Sequence, residues 1–150
     1  MVRDRELKKH LEKQAIADVK YEYCWAIDNN DPDAFIDVFT EDGVLTARKY
    51  ADSDPYLRAE GHDELRSLVH KRIENHDRQL GQHRPHNPVL TLDGDVASGK
   101  WYMTSIAVNA GGDVEFEFGE YHETYRRFDS GWKITSSAVE FLEVEPALRS

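Results

Sequence analysis

Just past its middle the chain reads His83-Arg84-Pro85-His86-Asn87-Pro88-Val89-Leu90-Thr91-Leu92-Asp93-Gly94-Asp95-Val96-Ala97-Ser98-Gly99-Lys100-Trp101-Tyr102-Met103. Two apolar runs flank Asp93-Gly94-Asp95, and an Asp-Gly pair in that setting is typical of a β-hairpin. Pro85 and Pro88 interrupt the entry, so the sequence predicts that His86 lies where an irregular loop becomes a strand. Histidine changes its protonation state near neutral pH and can serve as a general base. His86 is therefore a candidate catalytic residue.

From about residue 87 onward the pattern is that of β-strands. Apolar and polar residues alternate, and the sequence predicts strands over 87–93, 96–109, 114–128 and 132–144. Gly111-Gly112-Asp113 and Asp129-Ser130-Gly131 supply the remaining turns. The second half of the chain is thus expected to form a meander of long antiparallel strands.

Upstream, the pattern is that of helices. Apolar residues recur every three to four positions over 4–28 and over 62–75, which predicts two amphipathic helices. Asp31 and Pro32 resemble the N-cap and first residue of a short helix between them. A strand is expected over 44–48 and a loop over 49–60. The fold class is then α+β: three N-terminal helices packed on a strongly curved, mostly antiparallel sheet, which together enclose a cone with an apolar pocket.

The overall composition limits the classes of function. The chain has 150 residues and a net charge of −10, which disfavours nucleic acid and anionic membranes as partners. It is expected to form one domain over 1–150. The sequence has no apolar run long enough to span a membrane, and its single cysteine excludes an internal disulfide. A cytoplasmic protein is the expectation from these features.

The order of these elements resembles the NTF2-like superfamily and, within it, the SnoaL-like proteins. The motifs that carry the resemblance are Tyr23-Cys24-Trp25-Ala26-Ile27-Asp28, Phe39-Thr40-Glu41-Asp42, Gly61 and Asp129-Ser130-Gly131-Trp132-Lys133-Ile134. More narrowly, His86-Asn87-Pro88 followed by Gly99-Lys100-Trp101-Tyr102-Met103 is similar to bile-acid 7α-dehydratases and, more distantly, to scytalone dehydratase. The resemblance covers roughly residues 10 to 145.

The resemblance to these dehydratases implies three catalytic residues, namely Tyr23, Asp28 and His86. In this hypothesis His86 moves the proton, Asp28 orients His86, and Tyr23 polarises a substrate oxygen. Two positions depart from the bile-acid enzymes. Where they carry a further aspartate, this chain has Ser105 or its neighbour Thr104, and where they carry an arginine on the last strand it has Val139-Glu140-Phe141.

Several residues are expected to line the substrate pocket. Tyr121 lies two residues after Gly119 on one strand face, which opens space beside its ring. The other candidates are Trp101, Met103, Phe39 and Ser105, and core packing is the alternative for the apolar ones and for Tyr23. The spacing of His83 and His86 is too weak to predict a metal site, with or without His62, His70, His76 and His122, so no metal is expected.

The leading hypothesis is a cofactor-free dehydratase or isomerase that acts on an apolar cyclic carbonyl or hydroxyl compound. No cofactor is expected, because elimination moves only protons and water. The alternative is a non-catalytic ligand-binding or assembly protein, similar to the small subunit of ring-hydroxylating oxygenases. The family resemblance also implies a homo-oligomer, a dimer or else a trimer.

Overall fold

The computed structural model describes residues 1–49, 54–74, 78–109 and 111–142. The helices are α1 (Val2–Asp28), α2 (Pro32–Asp37) and α3 (Gly61–Glu74), and the strands are β1 (Phe39–Lys49), β2 (Leu57–Glu60), β3 (Arg78–Asp93), β4 (Val96–Asn109), β5 (Val114–Phe128) and β6 (Gly131–Leu142). Two helices precede the first strand, and α3 lies between β2 and β3. Within the described ranges, no helix is both long and apolar enough to cross a bilayer.

The six strands form one sheet in the order β2-β1-β6-β5-β4-β3. Only β1 and β6 run parallel; the other four neighbouring pairs are antiparallel. The predicted α+β class with a mostly antiparallel sheet is therefore confirmed. The parallel pairing lets the first strand join the last, so that the two halves of the chain share one sheet.

The predicted turns form as expected. Gly94, Gly112 and Gly131 have φ values of 60°, 85° and 119°, which an L-residue with a Cβ rarely adopts. Asp31 caps α2, because its Oδ1 accepts a hydrogen bond from the amide of Ala34 at 3.1 Å, and Pro32 begins the helix. These short-range predictions depended on local chemistry and are confirmed.

Several boundaries differ from the prediction, and β1, for example, begins at Phe39 rather than at residue 44. The segment expected to be a loop over 49–60 contains β2, which pairs with β1. The structure also places the start of β3 at Arg78 rather than at residue 87, so the stretch from His83 to His86 lies inside a strand. Pro85 is tolerated there because β3 is at the edge of the sheet and pairs on one side only.

A register shift in β3 decides which side chains face the helices. The pairing with β4 is regular from Gly81 to His86 and resumes at Val89, and Asn87 between them has a φ of 54°. An extra residue in a strand moves all later side chains to the opposite face. Before this bulge the odd-numbered residues of β3 face the helices, and after it the even-numbered ones do.

The core lies between the helices and the face of the sheet that they cover, called the inner face here. It is built by alternate residues of β4, β5 and β6, which are paired across strands: Trp101, Met103, Ser105, Tyr121, Glu123, Ser137 and Val139. The predicted apolar stripe of α1 packs on this face from Ile16 onward. Its first turns do not, and Leu7 and Leu11 are more than half exposed.

Candidate functional site

A cavity of about 1150 Å³ opens between the helices and the sheet. The last two turns of α1, one side of α3, and residues of β1, β2, β3, β5 and β6 form its wall. Apolar side chains such as Phe35, Leu68 and Val139 make up much of the surface, and Tyr23, Asp28, His83 and Tyr121 are among the polar groups. A concave site of this size that combines apolar and polar side chains is suited to binding a small molecule.

Asp28 and His83 form a hydrogen-bonded pair in the wall of the cavity. Nδ1 of His83 lies 2.6 Å from Oδ1 of Asp28. The backbone amide of His83 also donates to the same carboxylate, at 3.0 Å to Oδ2 and 3.2 Å to Oδ1. Both side chains are mostly buried, with 13% of His83 and 16% of Asp28 exposed. The end of α1 and the edge strand β3 are thus joined at this point.

This pairing determines the chemistry of the imidazole. A carboxylate only accepts hydrogen bonds, so Nδ1 of His83 carries the hydrogen and the lone pair of a neutral ring is on Nε2. The carboxylate also stabilises the imidazolium that forms when Nε2 takes a proton. The pair therefore has the arrangement of a general base with its orienting acid.

The sequence analysis expected His86 to lie beside Asp28, but the structure places the two residues apart. His86 is exposed on the outer face of the sheet, and its two ring nitrogens lie 2.8 Å from Oδ1 of Asn87 and 3.0 Å from Oγ1 of Thr104. Its ring packs edge-on against Tyr102, with centroids 5.8 Å apart. His83 and His86 are three residues apart in a regular part of the strand, so they point to opposite faces.

Tyr23 and Tyr121 stand together in the cavity wall. Their ring centroids are 6.0 Å apart, and both side chains are at least 95% buried. Burial raises the pKa of both phenols well above the usual value of 10.0. Two neutral O–H donors therefore stand on the wall that also holds the pair of Asp28 and His83.

The family profile of the SnoaL-like domain matches residues 9–138. This chain belongs to the SnoaL-like domain family. The resemblance noted from the sequence is thereby confirmed at the level of the family. Among curated proteins, no sequence matches the chain significantly.

Solved structures agree with this assignment. A protein of Novosphingobium aromaticivorans provisionally named an aromatic ring hydroxylase is 29% identical, with a TM-score of 0.75 over 89% of this chain and 90% of its own. From the same organism, a provisionally named scytalone dehydratase (18% identity, TM-score 0.76, 89% and 85% covered) and the β subunit of a provisionally named aromatic-ring-hydroxylating dioxygenase (14%, 0.77, 93% and 94%) share the fold.

Four other residues expected to bind substrate in this SnoaL-like protein lie in the core. Trp101, Met103 and Phe39 are at most 1% exposed, and none of the three contributes to the cavity wall. The indole Nε1 of Trp101 donates to the hydroxyl of Tyr125 at 3.0 Å. Ser105 is opposite His83 on the neighbouring strand and is also buried outside the wall. Trp101, Met103 and Phe39 therefore lie as expected for core residues, which was the alternative to a place in the substrate pocket.

The sequence analysis missed a buried ion pair behind the tyrosines. Nζ of Lys20 lies 2.8 Å from Oε2 of Glu123, and neither side chain is exposed. The ammonium also lies over two aromatic rings, 3.6 Å from the centroid of Tyr23 and 3.3 Å from that of Tyr121. A signal was present in the sequence, because Lys20 interrupts the apolar stripe between Ile16 and Tyr23. A charged residue at such a position requires a buried partner.

Within the described ranges, one group of side chains has the closeness of metal ligands. Glu120, His122 and Glu140 each offer one ligand atom, and these atoms lie within 4.8 Å of one another. They are on the outer face, where His122 is exposed, and Nε2 of His122 is 3.0 Å from Oε2 of Glu120. None of the three lines the cavity, which is on the opposite face of the sheet.

Proposed function

We propose that this SnoaL-like protein is a cofactor-free dehydratase or isomerase that acts on an apolar cyclic carbonyl or hydroxyl compound. The observation that carries the proposal is the pair of Asp28 and His83 in the wall of a cavity that also holds two neutral phenols. His83 takes the role that the sequence analysis gave to His86, and the roles of Asp28 and Tyr23 are kept.

The reaction begins when Nε2 of His83 removes a proton from the carbon next to the substrate carbonyl. The electron pair of that C–H bond moves onto the carbonyl oxygen, and the phenols of Tyr23 and Tyr121 stabilise the resulting enolate by hydrogen bonds. Asp28 holds the imidazolium in place. In a dehydration, the enolate expels a β-hydroxyl, and the proton on His83 leaves with it as water. In an isomerisation, His83 returns the proton to another carbon.

The environment of the site supports proton transfer from carbon. Burial keeps water away from the phenols, and hydrogen bonds to an enolate are stronger in such surroundings than in water. A positioned base contributes about 10²–10⁴-fold to the rate. The provisionally named scytalone dehydratase shares the fold at 18% identity, and its name is consistent with the same class of reaction.

A second candidate function is that of an assembly subunit. The observation that favours it is the outer face of the sheet, where Tyr102, Val114, Phe116 and Phe118 are 46–61% exposed. Apolar side chains clustered on a surface often mark a protein interface. The name of the similar dioxygenase β subunit indicates that it is part of a protein with more than one subunit.

The test is exchange of the α-protons of 2-tetralone in D₂O, followed by NMR, together with loss of water from 3-hydroxycyclohexanone. We expect His83→Ala to lower the rate by about 10²–10⁴-fold, because it removes the base. His86→Ala is the matched control, since it removes the same ring from the same strand but on the outer face, and it should keep the wild-type rate.

Two outcomes would contradict the enzyme proposal. If wild-type protein accelerates neither reaction above buffer, or if His83→Ala retains the wild-type rate, then His83 is not the base. The assembly function is supported if the protein then elutes as a stable complex and Phe116→Lys on the outer face dissociates it.

A further inference from the structure

Two aromatic side chains of the cavity wall are open to solvent. Tyr23, Phe35 and Tyr121 of the wall are at most 5% exposed, whereas Trp25 is 72% exposed and Tyr56 is 60% exposed. Single exposed apolar residues are common on protein surfaces and need no functional explanation. An exposed tryptophan that also lines a cavity is different, because a ligand bound in the cavity can cover it.

The position of Trp25 on α1 places it beside the proposed catalytic pair. Trp25 precedes Asp28 by three residues, so the two side chains are neighbours on one side of the helix. Asp28 in turn is held by His83 at 2.6 Å. Asn29 and Asn30, which follow the helix, also line the cavity and are exposed. Trp25 therefore lies at the rim of the cavity, one helical turn from the site of proton transfer.

The backbone that carries Trp25 is fixed by packing. The adjacent residues Cys24 and Ala26 are each 4% exposed, and Ile27 is buried to the same extent. The carbonyl of Trp25 accepts two hydrogen bonds from Asn29, one from its backbone amide at 3.0 Å and one from its side-chain amide at 2.7 Å. A ligand that contacts the indole therefore meets a rigid helical turn, and little backbone order is lost on binding.

The cavity is larger than a ligand with a single ring requires. Its volume is about 1150 Å³. Drug-sized ligands occupy cavities of about 300–1,000 Å³. One ring beside His83 would leave much of this volume and the rim empty. A compound with further rings fused to the reacting one fills more of the cavity and extends to Trp25.

We propose that Trp25 binds a planar aromatic part of the ligand, which is fused to the reacting ring at His83 and stacks on the indole at the rim. The inference rests on the proposed function only in placing the reacting ring at His83. Aromatic rings attract one another in offset-stacked or edge-on arrangements beyond the effect of their buried area. Trp25 thus selects fused aromatic ketones over saturated ketones of the same size.

The probes are three neutral ketones that differ in planarity and ring number. 1-Decalone is the saturated counterpart of 1-tetralone, and 1-oxo-1,2,3,4-tetrahydrophenanthrene has one more fused aromatic ring. Isothermal titration calorimetry of the full chain should show that 1-tetralone binds about 5-fold or more tightly than 1-decalone, and that the tricyclic ketone binds most tightly. Hydrophobic burial alone does not predict the first preference, because saturation does not make the compound more polar.

Variants assign the preference to Trp25. Trp25→Leu should lower the affinity for the tricyclic ketone about 5–10-fold and leave that for 1-decalone within about 2-fold, whereas Trp25→Phe should keep most of the affinity. Phe128→Leu is the matched control and should change neither affinity, because it removes an aromatic ring that is 42% exposed and does not line the cavity. Trp25→Gln carries the test if Trp25→Leu does not fold by circular dichroism.

A second measurement locates the bound ring. The chain has three tryptophans, and the indole N–H signal that Trp25→Leu loses in a ¹H–¹⁵N NMR spectrum belongs to Trp25. The tricyclic ketone should shift this signal most, because a stacked ring changes the local magnetic field. Trp101 and Trp132 are at most 6% exposed, so their signals should move less.

The inference is overturned if the tricyclic ketone does not bind, if 1-decalone binds as tightly as 1-tetralone, or if the Trp25 signal does not move. Unchanged binding in Trp25→Leu, or an equal loss in Phe128→Leu, would overturn it as well. The proposed function fails separately. If binding depends on Trp25 but no proton exchange occurs, the ligand class is supported and the catalytic proposal is lost. Exchange that requires His83, without any effect of Trp25 on binding, gives the reverse result.

Discussion

Replacing Lys20 by methionine should destabilise the fold strongly. The ammonium of Lys20 is fully buried, 2.8 Å from Glu123 and within 3.6 Å of the ring centroids of Tyr23 and Tyr121. Methionine retains much of the aliphatic side chain and removes the charge. Glu123 is then left as a buried carboxylate without a cation, which is the costly half of a broken ion pair.

The expected loss is about 3–5 kcal/mol in the free energy of unfolding. Glu123 keeps two hydrogen-bond donors, the hydroxyl of Tyr125 at 2.7 Å and that of Ser137 at 2.5 Å, which limits the loss to this range. For a domain of about 150 residues, each kcal/mol lowers the melting temperature by about 2–4 °C. The melting temperature should therefore fall by about 6–20 °C.

The assay is urea unfolding followed by tryptophan fluorescence, with Lys9→Met as the exposed control on the same helix. Glu123→Gln should also be destabilised, because it leaves the ammonium unpaired. The double variant Lys20→Met/Glu123→Gln has no buried charge and should be more stable than either single variant. A loss below about 1 kcal/mol in Lys20→Met, or a double variant at the sum of the two single losses, would refute this reasoning.

Three further predictions follow from local geometry. Burial raises the pKa of the Cys24 thiol from 9.0 to about 12, so between these pH values the unfolded chain releases a proton that the folded protein keeps. The free energy of unfolding should therefore fall as pH rises from 9 to 12, and Cys24→Ala should reduce that fall by about 1.4 kcal/mol per pH unit in urea unfolding. The prediction is contradicted if the free energy of unfolding of Cys24→Ala depends on pH as steeply as that of the wild type. Gly119→Ala should lower the free energy of unfolding by about 1–3 kcal/mol in the same measurement, because a Cβ there collides with the backbone carbonyl of Glu140. An unchanged free energy of unfolding would exclude that collision. Asp31→Ala should lower the free energy of unfolding by about 0.5–2 kcal/mol, because the amide of Ala34 loses its cap. Asp31→Asn can still accept that hydrogen bond and should recover most of the loss. Equal losses in the two variants would show that the cap does not contribute.

The sequence was sufficient to predict most of the elements and the family. Hairpin turns at Gly94 and Gly131, the capped α2 and the alternation in β4 and β5 all depend on residues that are near one another in the chain. Short-range signals of this kind need no knowledge of the rest of the molecule. The resemblance to SnoaL-like proteins rested on motifs spread over most of the chain, and the family assignment confirms it. The single domain over 1–150, the oligomer and the cytoplasmic location stay predictions.

Only the tertiary structure decided which histidine meets Asp28. His83 and His86 are three residues apart, with Pro85 between them, and the sequence analysis treated the segment as the end of a loop. In the structure it is an edge strand with a bulge at Asn87, and pairing with β4 turns His83 inward and His86 outward. Which face a residue takes depends on register, which is set by contacts between distant parts of the chain. The partner of Lys20 could not be predicted from the sequence for the same reason. Glu123 lies 103 residues away, and only the packing of α1 on β5 brings the two side chains together.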